Sequence, residues 1–212
     1  MSTSAVETLR QQLREKFPQA HGVRLEPTMV VAEQGEPFQM ESFPAGAISE
    51  VIPANPAGGI LLLVAGLLGE PEEPCPHPEV VLIDGADSFD PSSFSEAACS
   101  KLLWVRCGTA LEMIKAADLL VQDGNVPFVL LDATGMERRD LASIPASAWW
   151  RIKQTAERTG GRAVVLAPHP LVPCASKRLT LSANLSLRDF DRTREELLAR
   201  LHTTSEGLRR AT

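Results

Sequence analysis

Thr109-Ala-Leu-Glu-Met-Ile-Lys-Ala-Ala-Asp-Leu-Leu-Val-Gln122, then Asp123-Gly-Asn125, then Phe128-Val-Leu-Leu-Asp132, is the stretch that decides the fold. Leu111, Ile114, Ala117 and Val121 recur three and four residues apart, which predicts an amphipathic helix over Thr109–Gln122. Asp123-Gly124-Asn125 supplies the turn chemistry that stops it. Phe128–Asp132 is an apolar run closed by a carboxylate, as expected of a short strand buried on both faces. A helix that feeds such a strand is the building unit of a parallel sheet covered by helices.

The pattern repeats in both directions. Toward the N-terminus stand a strand at Leu102–Arg106, a helix at Ser92–Lys101 and a strand at Val80–Asp84. A loop with Pro71, Pro74, Pro76 and Pro78 precedes them, after an apolar helix at Ile60–Leu68. That helix follows a Pro/Gly turn, Pro53–Gly59, and a strand at Ala47–Ile52. Glu26–Pro44 reads as a linker. Thr3–Lys16 reads as a helix whose Val6, Leu9 and Leu13 need a surface to cover them. Toward the C-terminus a helix at Ser147–Thr159 closes at Gly160-Gly161, and an apolar strand follows at Arg162–Ala167. Arg178–Leu187 alternates, with Leu179, Leu181, Ala183, Leu185 and Leu187 on one side, and reads as an antiparallel strand added at the sheet edge. Asp189–Leu201 reads as a terminal helix and the last ten residues as a frayed tail. The fold class expected is α/β: a mainly parallel central sheet flanked by helices, with antiparallel edge strands.

The chain has 212 residues, 44% hydrophobic and 23% charged, with a net charge of −6. Wholesale disorder and a globally basic nucleic-acid binder are excluded on those values. Cys75, Cys99, Cys107 and Cys174 show no CxxC spacing, which fits a reduced compartment. Met1–Leu9 lacks the apolar run of a signal peptide. The longest apolar stretch, Ile60–Leu68, is far short of the roughly twenty residues of a membrane span. The expectation is a cytoplasmic protein without a membrane partner.

In such folds ligands bind beyond the carboxyl ends of the strands. Strand Ala47–Ile52, the Gly/Pro turn and helix Ile60–Leu68 have the layout of a phosphate loop. A working loop, GxxxxGK[S/T], cradles phosphates with backbone N–H groups, neutralises them with lysine and holds Mg²⁺ by a hydroxyl. Here Gly58 alone keeps its place. Gly59 stands at the lysine position and Ile60 at the hydroxyl position, while Pro53 and Pro56 remove two N–H donors. This is a degenerate nucleotide site, or else a strand–turn–helix connection that never held phosphate.

The order of motifs resembles the ATPase core of the RecA recombinase family. Arg14–Leu25 resembles the end of that family's N-terminal helix and the strand after it. Phe43–Val51 resembles the strand entering its phosphate loop. Val80-Val-Leu-Ile-Asp-Gly-Ala-Asp-Ser-Phe-Asp-Pro91 resembles the strand and Asp-Pro turn that carry its catalytic glutamate. Leu102–Asp132 resembles the next strand, helix and the strand ending in the Mg²⁺-associated aspartate, and Ala163–Leu187 the following strand, second DNA loop and edge strands. The resemblance implies three regions: an N-terminal helix and linker (1–35), a RecA-like core (36–187) and a basic C-terminal segment (188–212).

Departures from that pattern bear on activity. Ala86 stands where the family's catalytic glutamate would activate water, and His169 near the glutamine that senses the γ-phosphate. Asp132 is kept, a residue that also caps a turn. Loss of lysine, hydroxyl and general base removes positioning and electrostatic stabilisation together, so the expectation is a pseudo-ATPase without cofactor. Leu102–Cys107, Ala110–Leu120, Pro127–Asp132 and Ser147–Arg162 with its paired tryptophans resemble the ImuA group of this superfamily. That resemblance implies an adaptor in damage-induced translesion synthesis, with an ImuB-like, polymerase-related partner. The alternatives are a SulA-like division inhibitor and a divergent ATPase on single-stranded DNA. The N-terminal helix implies self-association or docking on a RecA-type recombinase.

The remaining candidates concern contacts. Trp149 and Trp150 are adjacent on a helix, so one faces the core and the other is an interface anchor or plain surface. Arg138 and Arg139 follow the Asp132 strand, and Lys177 and Arg178 follow the second loop; both pairs are candidates for DNA or partner contact. From Lys177 onward 8 basic and 5 acidic residues leave a local +3, which permits weak, salt-sensitive single-strand binding. The alternative is a solvated, ion-paired segment. Cys75-Pro-His77 is half a metal site at most, since zinc takes four ligands. Cys107 and Cys174 end apolar runs and read as small core residues.

Overall fold

The structure, a computed structural model, describes residues 36–37, 42–55, 59–183, 185, 189 and 191–206. The expected N-terminal helix, Gly58 and the tail beyond 206 lie outside the described residues. Five short strands follow the sequence expectation closely: β2 (Ala47–Pro53), β3 (Val80–Asp84), β4 (Leu102–Arg106), β5 (Phe128–Asp132) and β6 (Arg162–Leu166). To these are added a two-residue β1 (Glu36–Pro37), β7 (Lys177–Ala183) and β8 (Leu201–Glu206). The helices are α1 (Ile60–Leu68), α2 (Glu96–Ser100), α3 (Ala110–Asp123), α4 (Arg138–Ala142), α5 (Ala146–Thr159) and α6 (Arg194–Leu198).

The strands form one sheet in the order β1-β8-β7-β2-β6-β5-β3-β4. The six from β7 to β4 run parallel, while β8 is antiparallel to β7 and β1 to β8. The architecture is the expected α/β one and is consistent with a RecA-like core. The alternating strand, however, is not the antiparallel edge. β7 pairs parallel with β2, Glu50 opposite Arg178, and β8 supplies the antiparallel partner on its other side. The strand at 201–206 falls where a helix end and a frayed tail were expected, because the pairing with β7 overrides a weak local signal.

Both sheet faces are apolar, as parallel strands require. On one face α3 and α5 pack against Ile48, Val81, Ile83, Val129, Leu131 and Val165. On the other, Leu63, Val64 and Leu67 of α1 pack against Val51, Leu82, Leu130, Val164 and Leu181. Thr109 caps α3 by accepting from the Glu112 N–H at 3.2 Å, the arrangement that favours threonine there. The buried arc of α3 is Ala110, Met113, Ile114, Ala117 and Val121. Leu111, expected on that arc, is half exposed, because it stands one residue, about 100° of helix, past Ala110. α5 ends at Gly160 with φ 76°, a left-handed cap that glycine adopts without steric cost. The helix expected over Ser92–Lys101 is a 3-10 turn, Pro91–Ser93, then α2. Ser95 breaks the run by capping α2 through the Ala98 N–H. No helix among the described residues is long and apolar enough to cross a membrane.

Candidate functional site

The carboxyl ends of β3 and β5 set two aspartates side by side, since Asp84 and Asp132 are opposite in register. Each is engaged by its own loop. Asp84 is buried. Its Oδ1 accepts from the N–H groups of Ala86 (3.3 Å) and Ser88 (3.1 Å). Its Oδ2 accepts from the Phe89 N–H (2.9 Å) and the Trp104 indole (3.3 Å). The carboxylate is the hub on which loop 85–89 is wound, as expected when a charge is removed from water. Asp132 Oδ1 accepts from the N–H and hydroxyl of Thr134 at 2.9 and 2.6 Å. Burial pushes the Asp132 carboxyl above its ordinary range, Thr134 opposes that, and nearby Asp84 adds to it.

The space around these ends is closely filled. A Cβ on Gly85 would come within 2.5 Å of Met136 Sδ and 2.9 Å of the Asp132 carbonyl oxygen. Ala86 lies against Gly135, where an added Cβ would be 2.7 Å from the Ala86 methyl. Asp87 takes a left-handed φ of 54° and is held there by Arg106, whose guanidinium pulls the Asp87 carboxyl below its ordinary range. Arg106 also covers Trp104 at 5.2 Å, Trp104 meets Phe89 at 5.4 Å edge-on, and Phe89 stacks on Phe94 at 5.2 Å. This ring ladder pins the loop between β3 and α2.

At the turn after β2, Pro53 still belongs to the strand, and Ala54 donates to the Leu181 carbonyl at 2.8 Å. Gly59 caps α1 at φ 83° without a side-chain cap. Leu201 of β8 and Ala183 of β7 press on it: a Cβ there would meet them at 2.6 and 3.2 Å. Ile60 opens α1 partly buried in the core beneath it. The described part of this turn therefore carries neither a cation nor a hydroxyl, and apolar side chains lie against the helix start.

The basic candidates separate. Arg178 is engaged within the fold. Its Nε donates to Glu50 Oε2 at 2.5 Å and its Nη2 to the Val172 carbonyl at 3.1 Å. The reason is Glu50, the one carboxylate inside β2. It is fully buried and also accepts from the Leu171 and Val172 N–H groups at 2.5 and 2.9 Å. A lone glutamate within Ala47–Pro53 was the available signal, since a buried charge demands a partner. Lys177 donates to the Ser42 carbonyl at 2.9 Å. Arg192 and Arg200 pair with Asp189, and Arg194 with Glu70, so much of the C-terminal positive charge is paired. Arg138 and Arg139 sit exposed on α4, in no ion pair among the described residues.

Trp149 is 1% and Trp150 49% exposed, and Lys153 lies over the Trp150 ring at 5.3 Å. Cys107 and Cys174 are buried, and burial raises both thiols. Cys75 and His77 lie in the proline loop, where the Cys75 N–H donates to Ser100 Oγ at 2.7 Å. His169 is partly buried between its prolines. An open groove of about 380 Å³ runs between the α4–α5 corner and the segment Pro170–Pro173, with Trp149 and Arg178 in its lining. The sequence matches no protein-family model and no curated protein.

Proposed function

We propose that this chain is a non-catalytic, RecA-like adaptor of the ImuA type. In this reading it acts in bacterial damage-induced translesion synthesis through contact with an ImuB-like, polymerase-related partner. The observation that carries the non-catalytic part is the packing at the strand ends. Both aspartates already serve their own loops. Ala86 lies against Gly135, and Leu201 against Gly59. Phosphoryl transfer needs a cation, a metal-binding hydroxyl and an oriented base converging on one space, and the described side chains at these strand ends are apolar or self-satisfied. The partner assignment rests on the motif order described above. With catalysis set aside, protein contact is what the exposed Trp150 favours, because tryptophan is enriched where partners anchor.

A fluorescent ATP analogue titrated onto the chain with Mg²⁺ is expected to give no saturable signal. Co-expression with an ImuB-like protein is expected to give a complex that survives gel filtration. Saturable, hydrolysable ATP would overturn the non-catalytic part, and failure to co-purify would overturn the partner. Restoring the motif residues with Gly59→Lys and Ile60→Thr should not restore hydrolysis. The lysine Cβ would stand 2.6 Å from Leu201 at a left-handed backbone position, and Ala86 would remain.

A further inference from the structure

The two edges of the sheet are finished differently. At one, the polar run Thr203-Thr-Ser-Glu206 of β8 is followed by the two-residue β1, which ends in Pro37. Short strands and proline are devices that stop an edge from recruiting another strand. At the other, β4 pairs only with β3 among the described strands, in unbroken register. Its run Leu102-Leu-Trp-Val105 holds no proline and no charge. All of β3 is buried, whereas every residue of β4 keeps some exposure, Leu103 as much as 38%. The direction of the free backbone groups follows from the pairing. The Lys101 carbonyl accepts from the Val80 N–H at 3.1 Å, and the Cys107 N–H donates to the Asp84 carbonyl at 2.9 Å. Odd-numbered residues of this stretch therefore turn toward β3. Those between them, Leu102, Trp104 and Arg106, point their N–H and C=O groups outward, where no described strand takes them. A row of alternating donors and acceptors is met by extended backbone, so the occupant of this edge is a strand.

Symmetry and charge say which strand. We infer that β4 pairs antiparallel with β4 of a second copy of this chain, about a two-fold axis at Trp104. That register sets Trp104 opposite its mate and Leu102 opposite Arg106 as hydrogen-bonded pairs, so every outward group is used. Leu103 then faces Val105 of the second copy as a close-set, non-hydrogen-bonded pair. Leu103 and Val105 stand in register with Val81 and Ile83, so this apolar contact lies on the sheet face that carries α3. The strand ends match in charge. Lys101 pairs with Glu79 at 3.3 Å, and Arg106 pairs with Asp87. These ion pairs mark opposite ends of β4. The two-fold brings the Arg106–Asp87 pair of one copy beside the Lys101–Glu79 pair of the other, so cations meet carboxylates and the edge does not repel its mate. The product is a closed dimer with one sheet running through both chains. It stands apart from the adaptor reading and does not depend on it.

Sedimentation of the full chain over a wide concentration range is expected to show a monomer–dimer equilibrium that stops at the dimer. Leu103→Lys places a charge at an exposed edge position and opposite Val105 of the second copy, twice per dimer by symmetry. It should weaken dimerisation about tenfold or more and leave the melting curve of the dilute, monomeric chain unchanged. Register is read by cysteine trapping. Leu103→Cys and Val105→Cys chains, mixed and oxidised with copper phenanthroline, should form a covalent dimer that neither variant forms alone; the native cysteines are common to all samples. A chain that stays monomeric at every concentration overturns the proposal, as does a dimer untouched by Leu103→Lys. Crosslinking of either single variant as strong as that of the mixture overturns the register at Trp104 and with it the proposal. Growth beyond the dimer into longer assemblies overturns it too, since a head-to-tail contact would then be at work in place of a closed two-fold.

Discussion

Arg178→Ala is expected to act on the core. The Glu50 side chain is 0% exposed and that of Arg178 16%, and their contact at 2.5 Å ties β2 to β7 at a paired register position. The substitution leaves the Glu50 carboxylate buried with only the Leu171 and Val172 N–H groups to solvate it. Removing one partner of a buried pair costs about 3–5 kcal/mol. The guanidinium is slightly wet, so the lower half of that range is expected. At about 2–4 °C per kcal/mol for a domain of this size, the melting temperature should fall by roughly 6–16 °C. Glu50→Gln combined with Arg178→Met keeps an oxygen for both N–H groups and removes the unpaired charge, so it should cost less than Arg178→Ala alone. Thermal and urea unfolding followed by tryptophan emission measures both. Native-state hydrogen exchange adds a local readout, because the Leu171 and Val172 amides should lose protection in Arg178→Ala while α1 keeps its own. A melting shift under about 2 °C, or a double variant worse than the single one, would refute the claim that Arg178 is held by the buried glutamate.

Other expectations concern the strand ends and the tryptophans. Asp132→Asn keeps an oxygen for Thr134 and removes a carboxyl that burial has raised. Ionising that carboxyl costs stability above its ordinary pKa, and the cost disappears as pH falls below it. The variant should therefore melt above the wild type at neutral pH, with the gap closing toward pH 4; a constant gap would contradict this. Gly85→Ala forces a methyl toward Met136 and the Asp132 carbonyl and should cost about 1–3 kcal/mol by overpacking, read from urea midpoints. Trp149→Ala should cost about 3–5 kcal/mol as a buried aromatic lost from the core. Trp150→Ala should change stability by no more than about 0.5 kcal/mol, as surface positions do; similar losses would mean that the two rings do not divide between core and surface.

The sequence alone determined the sheet strands from β2 to β6, the helices α1, α3 and α5 and the α/β class, whereas α2 is shorter than its pattern implied and α4 was not expected. Their signals are local: apolar runs at strand length, helical spacing of buried residues, and Gly or Thr at the caps. Ile60–Leu68 could be read to the residue because its glycine borders and all-apolar content leave no competing pattern. Gly59, Ile60 and Ala86 were legible too, since residue identity needs no coordinates. Three things only the tertiary structure decided. β7 is an interior strand, because pairing partners come from far along the chain and no local pattern names them. Arg178 is structural, because a guanidinium looks the same in sequence whether its carboxylate lies across the sheet or is missing. The groove beside Trp149 exists because Glu50 reaches across more than a hundred residues to hold two backbone N–H groups, and charge buried at such a distance is visible only once the chain has closed around it.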